Sequence, residues 1–156
     1  MSQSIIVPLG EVRAQDDQGV GSRYVDKEGR KYKWVLYATQ TATLVGAKGD
    51  ALGYDDGDTT LNTVGSDESD CLNLVPAGVI PNQTGFDTPI DGEYFWMQYY
   101  GICTLAHTPT GTTPAAGDTI GLGTTDETFM IDPADTQPRA GWLINTTTLA
   151  FIDCSS

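Results

Sequence analysis

A chain of 156 residues with 39% hydrophobic and 9% aromatic side chains has the length of one compact domain or two very small ones, and folding at that size buries roughly 68–70% of the unfolded surface without a metal or disulfide staple. The formal net charge of −13 argues against nucleic acid as a partner, because phosphate recognition needs clustered Lys and Arg. No run approaches the ~18 apolar residues of a membrane helix.

In chain order, Met1 to Gly10 carries no basic n-region and only the short apolar run Ile5 to Leu9, so no secretory signal is expected there. Residues 1–31 combine that run with a polar stretch rich in Gly, Asp and Gln, and we expect an extended N-terminal arm. An arm of this kind can add as a strand to the sheet edge of a neighbour, its backbone giving affinity and alternate side chains giving specificity. Ile5, Ile6, Val7 and Leu9 are therefore the candidate partner-binding residues; the alternative is that they form the first strand of this chain's own domain. Six of the eight basic residues precede Trp34, against five acids, whereas from Trp34 onward only Lys48 and Arg139 stand against sixteen acids. A near-neutral leader on an acidic body suggests that the two parts meet different surroundings.

Beyond the leader, Gly, Pro, Asn or Asp interrupts the chain before any helical i, i+3, i+4, i+7 pattern develops. Twenty-one threonines, the aromatics and the β-branched residues fall instead into short runs bounded by turn residues, the signature of strands. Strands are predicted near Tyr32–Tyr37, Ala51–Tyr54, Leu72–Ile80, Tyr94–Tyr99, Gly101–Ala106, Thr119–Leu122, Gly141–Asn145 and Leu149–Asp153. Their spacing predicts an all-β barrel or sandwich over residues 32–156.

A repeat organises these strands. Sliding the chain 68 positions against itself superposes Ala38, Ala47, Gly49, Asp50 and Gly53 on Ala106, Ala115, Gly117, Asp118 and Gly121. Each copy reads as an apolar strand, a Thr-rich connection, an Ala-x-Gly-Asp turn and a short apolar strand. An Ala-Gly step follows, Ala77-Gly78 in one copy and Ala140-Gly141 in the other. Two related units of about 60 residues follow from this, about 32–98 and 99–153. Gly supplies the positive φ of a tight turn and Asp bonds nearby backbone, so Asp50 and Asp118 read as turn residues and not as catalysts.

Catalytic chemistry is hard to find. His107, the single histidine, sits in a Thr- and Pro-rich connection, and no nucleophile elbow, phosphate loop or H-E-x-x-H motif occurs. Cys71, Cys103 and Cys154 are odd in number with no C-x-x-C spacing, so reduced thiols are expected, Cys103 as a small buried hydrophobe. The clusters Asp55/Asp56/Asp58 and Asp67/Glu68/Asp70 carry enough oxygens for calcium but lack the D-x-D-x-D-G spacing of a calcium loop. We accordingly expect no catalytic residue, cofactor or metal. The run Tyr94 to Tyr100 carries aromatics on both parities, so both faces of that strand must be covered.

The segment Gly92-Glu93-Tyr94-Phe95-Trp96-Met97-Gln98-Tyr99-Tyr100-Gly101 resembles the "G-x-Y-x-W-x-Q-x-x-G" step of small tailed-bacteriophage head proteins. As in those proteins, an Ala-Ala-Gly-Asp turn (Ala115 to Asp118) and an Ala-Gly step (Ala140-Gly141) follow, and the similarity covers about residues 32–153. The resemblance to capsid decoration, or cement, proteins implies a non-enzymatic virion component, made in the bacterial host cytoplasm. It would bind the outer face of the assembled capsid, with the major capsid protein as partner and a homotrimer as its common form. Two other readings stay open: a tail or head-fibre component, and a carbohydrate-binding β module that would expose Trp34, Trp96 or Trp142 on one face.

Overall fold

The computed structural model describes residues 4–38, 45–67, 69, 71–132, 134 and 136–155, with the side chains of 72 and 73 outside that description. The Thr-rich connection of the first repeat copy falls largely outside the described residues. The chain is all-β: β1 (Arg23–Val25), β2 (Lys31–Tyr37), β3 (Ala51–Asp55), β4 (Thr63–Gly65), β5 (Cys71–Val79), β6 (Tyr94–Thr104), β7 (Thr119–Leu122), β8 (Phe129–Ile131), β9 (Arg139–Leu143) and β10 (Leu149–Asp153). Strands β2-β4-β3-β5-β6 close into a five-stranded barrel through the β2–β6 pairing, and β6 continues into a second sheet in the order β10-β9-β7-β8. The two strands predicted at Tyr94–Tyr99 and Gly101–Ala106 are thus one strand, β6, shared by barrel and extension. Three strands not predicted, β1, β4 and β8, are each three residues long and owe their conformation to neighbours in the sheet.

β6 changes character along its length. Phe95, Trp96, Met97, Gln98 and Tyr99 are buried in succession, whereas from Gly101 to Leu105 buried and exposed residues alternate. In the first half, Phe95, Met97 and Tyr99 join the main core with Val35 and Tyr37 of β2 and the inward residues of both sheets. Trp96 points the other way and forms a second cluster with Tyr32, Trp34 and Val7. The register shifts between Lys31 and Tyr32 opposite this stretch, a bulge that bends the strand from barrel to extension. Gln98, fully buried, stitches that bend: its Nε2 donates to the carbonyls of Tyr100 (3.3 Å) and Ile102 (3.0 Å).

The leader supplies the cover for the second cluster. Val7 is 1% exposed, with Ile5 and Leu9 packed alongside, and the Trp96 indole Nε1 donates to the Val7 carbonyl at 2.9 Å. Asp16 accepts the Trp34 indole Nε1 at 2.8 Å, and Arg13 exchanges backbone hydrogen bonds with Tyr94. Two aromatic contacts complete the layer, Trp34 edge-on to Trp96 at 5.4 Å and stacked with Tyr94 at 6.4 Å. Residues 5–16 of the leader therefore lie against the barrel as a layer over β2 and β6, whereas its later part joins the sheet as β1 and the first residue of β2.

The two copies of the repeated turn make the same bonds. Asp50 Oδ2 accepts the Ala47 N–H (2.7 Å) and Asp118 Oδ2 the Ala115 N–H (2.8 Å). Gly49 and Gly117 donate to Ile80 and Leu143, while Ile80 and Leu143 donate back to Asp50 and Asp118. The Ala-Gly steps match as well: a Cβ on Gly78 would stand 2.3 Å from the Gln98 carbonyl oxygen, and one on Gly141 2.0 Å from that of Phe151. Each step needs glycine because the neighbouring strand passes at backbone distance.

The layered leader can be probed by substitution. Val7→Ala removes methyls from a closed cluster and should cost about 2 kcal/mol of stability, whereas Ile6→Ser, on the adjacent exposed side chain, should stay within ~0.5 kcal/mol. Chemical denaturation of the two variants measures the difference.

Candidate interaction surface

The four residues singled out for partner binding have different fates. Val7 is buried, Ile5 and Leu9 pack against the Trp34/Trp96 cluster, and Ile6 alone stands out, 69% exposed. Strand addition also needs free backbone donors, but the Ile6 and Val7 N–H groups both donate to Gln18 Oε1, at 2.7 and 3.0 Å. The run is thus tied to its own chain by side chain and backbone, leaving one side chain for outside contact.

A larger apolar surface lies on the outward face of β6, β10 and β9. Residues opposite one another in antiparallel register share a face, and Ile102 pairs with Phe151, which pairs with Trp142. Ile102 is 53% and Trp142 36% exposed. Trp142 stacks on Phe151 at 4.7 Å with rings 10° apart, and Tyr100 meets Phe151 edge-on at 5.1 Å. A charged rim adjoins: the Lys31 ammonium sits 4.3 Å from the Tyr100 ring centre, and Arg30 is held by Asp26 and Glu28 at 2.7 and 3.1 Å. Beside them Glu28, Arg30, Tyr100, Ile102 and Phe151 line a hollow of about 460 Å³. The sequence places these residues on strands without identifying the ledge; the outward placing of Ile102 and Trp142 shows only once the strand register is known. Trp34 and Trp96, by contrast, are buried.

The acidic loops are engaged in turns. Asp58 Oδ1 accepts from the Thr60 N–H and hydroxyl, and its Oδ2 from the Asn62 and Thr63 N–H groups. Burial raises its pKa, but hydrogen bonds from Thr60, Asn62 and Thr63 outweigh this and hold the carboxyl well below the usual range. Asp55 caps Gly57. Asp67 bonds Ser69, while Glu68 and Asp70 lie outside the described residues. None of the three cysteines forms a disulfide among the described residues, and burial pushes the Cys103 thiol up to about 12.

Asp50 differs from the other described aspartates. It is fully buried, and while Oδ2 takes the Ala47 N–H, its Oδ1 has no hydrogen-bond partner among the described residues. Two distant residues converge on it. Gly49, at φ +86°, lies so close to the end of β6 that a Cβ would stand 2.5 Å from the Ala106 nitrogen. The Ala106 N–H bonds the Gly49 carbonyl at 2.9 Å, which delivers His107 beside the turn. Glu127 comes from the β7–β8 connection: its carbonyl accepts the Ala51 N–H and its N–H bonds the Ser66 carbonyl. The His107 Nε2 and Glu127 Oε2 are 3.9 Å apart. Burial, reinforced by Glu127 and opposed by the Ala47 N–H and His107, pushes Asp50 up to about 6. Neither His107 nor Glu127 could be joined to Asp50 from local sequence.

Comparison with protein families, with curated proteins and with solved structures finds no match to this chain.

Burial of the Asp50 carboxyl makes stability fall as pH rises. A carboxyl titrating near 3.8 when unfolded and about 6 when folded gives its full stability at low pH and loses it as pH rises through about 6. In chelator-containing buffer, Asp50→Asn should match the parent near pH 4 and exceed it by about 2–3 kcal/mol at pH 8. Denaturation midpoints at the two pH values read this out.

Proposed function

We propose that this chain is a non-enzymatic virion protein that binds the outer surface of an assembled tailed-phage capsid and stabilises it, with the major capsid protein as partner and a homotrimer as the assembled form. The chain is then made in the bacterial host cytoplasm and ends on the virion. The observation that carries the reading is the ledge of Ile102, Phe151 and Trp142 on an otherwise strongly acidic molecule. A contiguous exposed apolar patch beside polar residues marks an interaction site. The barrel is built on the segment that resembles the phage head proteins, and the marked residues of that segment each serve the fold. Trp96 anchors the leader, Gln98 stitches the bend and Gly101, at φ +105°, turns the strand.

Cementing is a mass-action effect: a ligand that binds the assembled lattice and not its free subunits stabilises the lattice, and many copies bridging neighbours make modest contacts collectively strong. The carbohydrate-binding reading draws support from one feature, the exposed Trp142 stacked on the half-buried Phe151, since flat aromatic faces stack on sugars. A tail or head-fibre role would use the same ledge between copies.

Co-sedimentation with expanded, empty capsids of the phage that carries the chain tests the proposal. Saturable binding is expected, weakened at least tenfold by Ile102→Ser with Trp142→Ser and unchanged by Ile6→Ser. No binding to any capsid form would contradict it, and a sugar-induced shift of Trp142 fluorescence would promote the carbohydrate reading.

A further inference from the structure

We propose that Asp50, His107 and Glu127 form a binding site for one divalent ion of the zinc class. Their ligand atoms, one from each side chain, lie within 4.8 Å of one another, and they come from three separate segments: the repeated turn, the end of β6 and the β7–β8 connection. The independent sign of a ligand is Asp50 Oδ1, an oxygen in a fully buried side chain with no hydrogen-bond partner among the described residues. A buried carboxylate oxygen without a partner is costly unless it is protonated or meets a cation. The Ala47 N–H on Oδ2 fixes the carboxylate as an outer-shell donor does at metal sites.

The donor set selects the ion. One imidazole with two carboxylates suits first-row divalent ions, whereas calcium and magnesium take oxygen ligands. Bonds of about 2.0–2.2 Å require the His107 and Glu127 side chains to draw in from their 3.9 Å separation. Asp50 is fixed, but the side chains of the other two are 50% and 26% exposed and can close on it. The repeat supplies an internal control. Asp118 makes the same turn bond but lies closer to solvent, and the chain's single histidine stands at the other copy. Bound metal would tie the end of β6 to the β3 and β7–β8 connections and cross-link the two repeat units. The ion site is independent of capsid binding.

The test uses the full chain freed of metal by chelation and titrated with zinc chloride. Because His107 is the only histidine, its imidazole NMR signals report the site without assignment ambiguity. Expected are a saturable 1:1 shift of those signals and a melting temperature raised by about 5–10 °C at a hundredfold excess over Kd. Affinity should fall at least tenfold in His107→Ala and in Glu127→Gln, remain unchanged in Asp118→Asn, and be absent for calcium. Unmoved His107 signals at millimolar zinc, or parental affinity in His107→Ala, would overturn the proposal; a simple His107–Glu127 ion pair would give that result.

Discussion

Strand β6 carries apolar side chains on both faces through its first half, and a sheet strand with two apolar faces is stable only when something covers each of them. One face is satisfied by barrel closure, with Phe95, Met97 and Tyr99 turned into the main core. The other, with Trp96 beside Trp34 and Tyr32, would meet water without the leader. The Trp96 indole sets how that cover is attached, because a buried indole N–H needs an acceptor and finds it in the Val7 carbonyl. Leader, barrel and bend are thus consequences of one strand's composition.

The second half of β6 obeys a different rule and so creates the surface. After the bend the strand is single-faced, its inward side shared with β10 and β9 and its outward side bearing Ile102 in line with Phe151 and Trp142. The same strand end runs past Gly49 and leaves His107 at Asp50. Apolar ledge and acidic-histidine cluster are two results of carrying one long strand from the barrel into a second sheet.

Much of the fold was legible because it depends on local rules. Strand positions followed from β-branched and aromatic runs between turn residues, and the two-sided burial of the Tyr94 segment followed from parity alone. The repeated Ala-x-Gly-Asp turns make identical hydrogen bonds. What local rules could not give was decided by partners far along the chain. The β1, β4 and β8 strands are too short to carry a period, and Ile5 to Leu9 reads equally as a free arm or as a strand until Trp96 is placed above it. Asp50 and Asp118 sit in matching copies of the turn, yet one is fully buried beside His107 and Glu127 and the other lies nearer the surface. Trp34, Trp96 and Trp142 were equivalent in the sequence, and only the third reaches solvent.

That the leader forms a structural layer over the second face of β6 can be read from the hydrogen exchange of three indole protons followed by NMR. Trp34 and Trp96 donate theirs to Asp16 and to the Val7 carbonyl, and Trp142 is exposed. The first two should exchange only through global unfolding, with Trp142 exchanging at the rate of a free indole. A Trp96 proton that exchanges as fast as that of Trp142 would contradict it.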